Sequence, residues 1–72
     1  MNELAKALQD LVARYTVFPG PIVNAQCKHI GKSPATITRE DLPRLAPYIA
    51  KAVALFANPE KAKELEVAIG RL

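Results

Sequence analysis

Residues 38–59 read TREDLPRLAPYIAKAVALFANP, and the apolar side chains in this segment recur at the spacing of one helix face. The apolar stripe consists of Leu42, Leu45, Ile49, Ala52, Val53 and Phe56. Thr38 predicts the start of this helix, because Asp41 follows three residues later as a short form of the capping box. Asn58-Pro59 then ends the segment and opens another helix. The pattern favours an all-α protein.

Two prolines inside this segment leave its exact form open. Pro43 and Pro47 are one turn apart, and both cannot lie in the first turn of a single regular helix. Either a short turn from Arg39 to Leu42 precedes a helix that starts at Pro43, or the helix is continuous and kinked near Pro47. We favour the first interpretation.

The segment before Pro19-Gly20-Pro21 predicts a first helix from about Glu3 to Tyr15. Asn2 is a good N-cap, and Glu3 lies near the positive end of the helix dipole. The apolar face of this helix consists of Leu4, Leu8, Leu11, Val12 and Tyr15. Phe18 follows the helix, and we expect its side chain to fold back onto the core.

Two further helices are marked by their ends. Pro21 suits the first position of a second helix, and Gly31 suits the position just past its end. Its apolar face consists of Ile22, Val23, Cys27 and Ile30. The last helix begins with Asn58 as N-cap and Pro59 in the first helical position. Its apolar face, which runs to the chain end, consists of Ala62, Leu65, Ile69 and Leu72.

Length and composition agree with a bundle of helices. The 72 residues suffice for one domain, residues 1–72. Half of the side chains are apolar, of which 12 are alanine and only four are aromatic, and this composition favours closely packed helices over sheets. We therefore expect a compact antiparallel bundle of about four helices. The small size excludes most enzyme folds.

Charge and cysteine usage point to a soluble protein of a reducing compartment. Ten Lys and Arg against seven Asp and Glu give a net charge of +3. The single cysteine, Cys27, cannot form an intramolecular disulfide. Charged residues interrupt the N-terminal apolar residues, so we expect no signal peptide, and no segment approaches the ~20 apolar residues of a membrane span. The expected location is the cytoplasm.

No motif predicts catalysis, a cofactor or a metal. Gly31-Lys32-Ser33 is similar to the end of a phosphate-binding loop, but Gln26 stands where that motif has its first glycine, and a helix precedes it instead of a strand. Cys27 and His29 are two residues apart on a helix, so they point about 200° apart and cannot share a metal ion. No pair of carboxylates is held in a cleft. We expect a protein that is not an enzyme.

Cys27 has two possible roles. At helical spacing from Val23 and Ile30, it fits a buried structural position. A redox-sensitive switch is the alternative, and it predicts rapid labelling of the thiol in the native protein.

Basic residues around the end of the second helix form a candidate nucleic-acid site. The candidate basic patch consists of Lys28, His29, Lys32, Arg39 and Arg44. It could bind phosphate, although the loop of seven residues from Gly31 to Ile37 is too long for a helix-turn-helix, and we expect no exposed aromatic side chain for base stacking. A small basic nucleic-acid-binding protein is therefore our alternative function.

A resemblance to a known group of proteins covers Pro19 to Leu72. It is carried by Gly20-Pro21-Ile22-Val23, Gln26-Cys27, Gly31-Lys32, Ile37-Thr38, Glu40-Asp41-Leu42-Pro43, Leu45, Leu55-Phe56 and Glu60-Lys61-Ala62. This part of the chain resembles the small helical modules at the C-terminal ends of many bacterial signalling and regulatory proteins, some behind roadblock-type or kinase domains. The resemblance implies an interaction or regulatory role and supplies no catalytic or ligand residue.

Our first functional prediction is a non-enzymatic helical module that binds another protein of unknown identity. The candidate interaction surface is the outer side of the third helix around Tyr48, Leu55 and Phe56. A homodimer is one form that this interaction could take, because self-association would add buried surface to a small core.

Overall fold

Four α-helices and one turn of 3₁₀-helix form the secondary structure of residues 2–72, which the computed structural model describes. The helices are α1 (Glu3–Val12), α2 (Pro19–His29), α3 (Leu42–Ala54) and α4 (Pro59–Gly70), and the 3₁₀ turn (Arg39–Asp41) precedes α3. The described residues contain no strand. The predicted all-α bundle of about four helices is confirmed.

The expected helix ends are found at three positions. The side-chain oxygens of Asn2 and Asn58 accept hydrogen bonds from the backbone N–H groups of Ala5 at 2.7 Å and Lys61 at 2.8 Å. Both asparagines therefore satisfy helix-start donors that would otherwise lack a partner. Gly31 follows α2 with a φ of 73°, a left-handed conformation that glycine adopts without steric cost.

Two helix boundaries differ from the prediction. α1 ends at Val12 and not at Tyr15, because the chain tightens into turns in which the Tyr15 N–H donates to the Val12 carbonyl at 2.9 Å. α2 begins at Pro19, two residues before the proline that we expected to open it.

The start of α3 follows the first of the two proline interpretations. The 3₁₀ turn is followed by a helix that begins at Leu42, with Pro43 in its first turn. The capping box is present, and in it the Asp41 carboxylate accepts the backbone N–H of Thr38 at 2.9 Å and the Thr38 hydroxyl at 3.2 Å. Pro47 lies inside the helix.

The core is built mainly from the predicted apolar faces. Its buried members are Ala5, Leu8, Val12, Ile22, Val23, Cys27, Ile37, Leu42, Leu45, Ala46, Ile49, Val53, Leu65 and Ile69. The main helix contacts join α1 to α2, α2 to α3, α3 to α4, and α4 back to α1, so the four helices surround this core. None of the helices in residues 2–72 combines the length and the apolar character that crossing a membrane requires.

Two aromatic residues are exposed: Phe18, which we expected to fold back onto the core, and Phe56, which we placed both in the apolar stripe of the third helix and in the candidate interaction surface. Phe18 stands at the corner between α1 and α2, where its backbone N–H donates to the Thr16 hydroxyl, and its side chain points away from the core. Phe56 continues the apolar stripe of α3 in sequence only. Because α3 ends at Ala54, Phe56 lies in the following turn and loses the helical register that would have buried it.

Candidate functional site

The three residues of the candidate interaction surface are all exposed, but they do not lie together as one patch. Tyr48, Leu55 and Phe56 are 44%, 81% and 69% exposed. Tyr48 lies within α3, whereas the other two lie in the turn after it. The six residue steps from Tyr48 to Ala54, the last residue of α3, rise by about 9 Å, and Leu55 and Phe56 lie in the turn beyond the helix end.

Phe56 belongs to an apolar surface at one end of the bundle. It faces the connection between α1 and α2, where Val17 and Phe18 are 84% and 58% exposed. A groove of about 410 Å³ lies between them, lined by Ala13, Arg14, Tyr15, Thr16, Val17, Phe18 and Phe56. Together with Leu55, the neighbour of Phe56, these exposed side chains form what we call the apolar end: Val17, Phe18, Leu55 and Phe56.

Polar groups border the apolar end on the α4 side. The Tyr15 hydroxyl donates to the Glu64 carboxylate at 3.2 Å, and the Lys61 ammonium lies 3.7 Å from the same carboxylate. Burial raises the pKa of Tyr15, and the hydrogen bond to Glu64 raises it further. Arg14 lines the groove and has no acidic partner within 4 Å among residues 2–72.

The structure brings together part of the candidate basic patch. The Lys32 ammonium and the Arg44 guanidinium lie 3.9 Å and 4.0 Å from the carboxylate of Asp41, which is buried. The backbone N–H of Thr38 holds the pKa of Asp41 below its ordinary value, assisted by Lys32 and opposed by burial. Arg44 pairs with Asp41 at i,i+3.

Arg39 lies at a different place from Lys32 and Arg44, beside the chain end. Its guanidinium donates to the carbonyl oxygen of Leu72. It also lines a second cleft, of about 420 Å³, with Glu3, Leu4, Ala7 and Leu72. Arg39 is therefore engaged at the cleft between the first helix and the chain end, and not with Lys32 and Arg44.

An aromatic pair lies beside the basic residues, contrary to our expectation of no exposed aromatic side chain there. The rings of His29 and Tyr48 are stacked, with centroids 5.3 Å apart and planes 4° from parallel. Both residues are exposed. No local sequence signal identifies the pair, because it depends on how α2 and α3 pack. His29, a member of the candidate basic patch, therefore contacts Tyr48, a member of the candidate interaction surface.

Cys27 is fully buried in the core. Burial raises the pKa of its thiol, and the negative charge of Asp41 raises it further. Both effects disfavour the thiolate, which is the reactive form. Among residues 2–72, no three His, Cys, Asp or Glu side chains come together as a metal site requires.

Comparison with known proteins finds no matching protein-family model, no matching curated protein and no matching solved structure. The resemblance to C-terminal bacterial modules accordingly stays a prediction.

Proposed function

We propose that this chain is a non-enzymatic helical module that binds another protein through the apolar end. The observation that carries the proposal is the grouping of Val17, Phe18 and Phe56 around an open groove, with Leu55 beside them. Single exposed apolar residues are common on soluble proteins, but contiguous apolar patches mark interaction sites. A regulatory role in bacterial signalling, in the cytoplasm, is part of the proposal and is supported by the resemblance alone.

The size of the apolar end supports reversible binding. Four large side chains with these exposures offer roughly 500 Å² of surface, against about 800 Å² per partner in a standard interface. At about 25 cal/mol per Å², their burial contributes on the order of 12 kcal/mol before the cost of association, which is itself about 4–15 kcal/mol. The apolar residues alone therefore give modest affinity, and contacts at the border of the patch must add to it.

Arg14 indicates the chemistry of such contacts. Its guanidinium lies at the groove without an acidic partner among the described residues. A partner that inserts an apolar side chain into the groove and presents a carboxylate beside it would match both features. A second copy of the chain is one such partner, because Glu60 lies at the start of α4, close in sequence to Phe56.

Site-specific photo-crosslinking in the native cells tests the proposal. A benzophenone amino acid is placed at Val17 or at Phe56, and the control position is Lys63, which is exposed on α4. The proposal expects the same protein to be crosslinked from Val17 and Phe56 but not from Lys63. The substitution Phe18→Glu should abolish both crosslinks while thermal unfolding shows that the variant is folded.

Sedimentation equilibrium separates a second copy from another partner. Concentration-dependent dimerisation that Phe18→Glu abolishes identifies a second copy as the occupant. If the chain is a strict monomer, the protein that is crosslinked from Val17 and Phe56 is the partner that binds the apolar end. A monomer that gives equal crosslinking at all three positions would overturn the proposal.

A further inference from the structure

The rings of His29 and Tyr48 stack in parallel on the side of the bundle, and we call this stacked pair the aromatic platform. The pair joins the end of α2 to the middle of α3. Both residues are exposed, and the two ring faces that point away from each other are those on which a further ring can stack. Nucleobases stack on exposed aromatic rings of this kind irrespective of their sequence.

Both α2 and α3 carry basic residues close in sequence to His29 or Tyr48. Lys28 directly precedes His29 in the last turn of α2. Arg44 and Lys51 lie four residues before and three residues after Tyr48 on α3, which places both on the same side of the helix as the tyrosine. Lys32 joins this group through its contact with the carboxylate that also binds Arg44.

The charge around the platform is predominantly positive. Among the salt bridges of the described residues, one carboxylate, that of Asp41, lies among these cations. It also accepts the backbone N–H of Thr38, and it contacts Lys32 and Arg44 at the outer limit of an ion pair. Lys28 and Lys51 have no acidic partner within 4 Å. Glu66 lines a groove together with Lys51, so the excess of positive charge that suits phosphate groups rests on Lys28, Lys32 and Arg44 against Asp41.

We propose that the aromatic platform binds single-stranded nucleic acid, with a base stacked on the His29–Tyr48 pair and phosphates at Lys28, Lys32 and Arg44. Single strands fit because their bases have free faces, whereas the faces of bases inside a duplex are covered by neighbouring bases. This function goes beyond protein binding at the apolar end. It uses a separate surface, since Tyr48 lies in the middle of α3, about 9 Å before the helix end, and Leu55 and Phe56 follow that end.

Fluorescence anisotropy with labelled oligo(dT) and oligo(rU) of about 12 nucleotides tests the proposal, with a duplex of the same length for comparison. At about 50 mM salt, the single strands should bind at least fivefold more tightly than the duplex. Three phosphate contacts should give a slope of about −2 for log K against log salt, because each contact on a single strand contributes about −0.7.

Four variants separate stacking from general charge attraction. Tyr48→Ala should weaken binding at least fivefold, because stacking of one base is worth a factor of that size or more, whereas Tyr48→Phe should retain binding. Lys28→Glu should weaken binding and flatten the salt slope by about 0.7. Lys63→Glu, which makes the same charge change on exposed α4, should have a much smaller effect.

Tyrosine fluorescence provides a readout that does not require removal of the platform. The chain has two tyrosines and no tryptophan, so Tyr15→Phe leaves Tyr48 as its one strong emitter. A stacked base should quench this emission, and the quenching should saturate over the same oligonucleotide concentrations as the anisotropy. Absence of binding at about 50 mM salt would overturn the proposal. So would equal affinity for duplex and single strands, or binding without quenching.

Discussion

The side chain of Asn2 donates from Nδ2 to the carbonyl oxygen of Ile37 at 2.9 Å, across 35 residues of sequence. Its Oδ1 accepts the N–H of Ala5 at 2.7 Å, and its own backbone N–H donates to the carbonyl of Pro34 at 2.9 Å. One residue therefore caps α1 and fixes the connection between α2 and α3. That connection carries Ile37, which is buried in the core.

Substitution of the two asparagine caps should show this double role. Asn58→Ala removes one hydrogen bond at an exposed helix start, and we expect it to lower the free energy of unfolding by about 1 kcal/mol. Asn2→Ala removes the equivalent cap and also the bond to Ile37, so we expect a loss larger by about another 1 kcal/mol. Urea unfolding measures both. Equal losses would mean that the bond to Ile37 contributes nothing to stability.

Asp41 should make stability depend on acid pH. Its pKa is lowered in the folded protein, chiefly by the Thr38 N–H, so its charged form stabilises the fold at pH values above the ordinary pKa of about 4. This stabilisation is lost as the pH falls from about 4 through the lower folded pKa. Asp41→Asn should therefore be less stable than the natural protein at pH 7, and the difference should shrink below pH 4.

Urea titrations at several pH values between about 2 and 7 measure this difference. Glu66→Gln is the matched control, because Glu66 is exposed and forms no salt bridge or side-chain hydrogen bond among residues 2–72. The free energy of unfolding of Glu66→Gln, plotted against pH, should run parallel to that of the natural protein. A difference for Asp41→Asn that stays constant down to pH 2 would contradict the lowered pKa.

Several helix ends could be predicted from sequence because their signals are local, although the end of α1 and the start of α2 were predicted two to three residues away from their positions in the structure. Asn58 and Gly31 each act within a few residues of their own position, and both predictions are confirmed by the structure. The capping box of Thr38 and Asp41 is equally local. Such signals need no knowledge of tertiary packing, so they also yielded the number and order of the helices.

The surfaces could not be predicted, because they depend on packing and on where a helix stops. Phe56 fits the apolar period of α3 but falls beyond the last helical residue, so periodicity alone did not show whether its side chain is buried or exposed. The ring stacking of His29 and Tyr48 depends on how α2 packs against α3, so neither helix carries a local sequence signal that predicts it. Ile37 is buried although it lies in the connection between α2 and the 3₁₀ turn, where the apolar residues follow no helical spacing.

The two prolines of α3 should respond oppositely to replacement by alanine. Pro47 lies inside the helix, so Pro47→Ala supplies an N–H for the carbonyl of Pro43 and should raise the free energy of unfolding by about 1–2 kcal/mol. Pro43 lies in the first turn, where an N–H has no partner within the helix. Pro43→Ala should therefore lower stability by about 0.5–1 kcal/mol through the greater freedom of the unfolded chain. Urea unfolding compares them, and a loss for Pro47→Ala would show that the helix is adapted to its proline.

Cys27 should react with thiol reagents only when the protein opens. Its side chain is fully buried and its thiol pKa is raised, so both access and thiolate formation are disfavoured in the native state. We expect labelling by a disulfide reagent at pH 8 to be slowed at least ~100-fold relative to protein unfolded in urea, since an opening free energy of about 3 kcal/mol exposes the thiol that rarely. Lys63→Cys adds an exposed thiol as an internal control and should make the time course biphasic. Two fast thiols would instead support the redox switch, because a sensor cysteine must meet its oxidant in the folded protein.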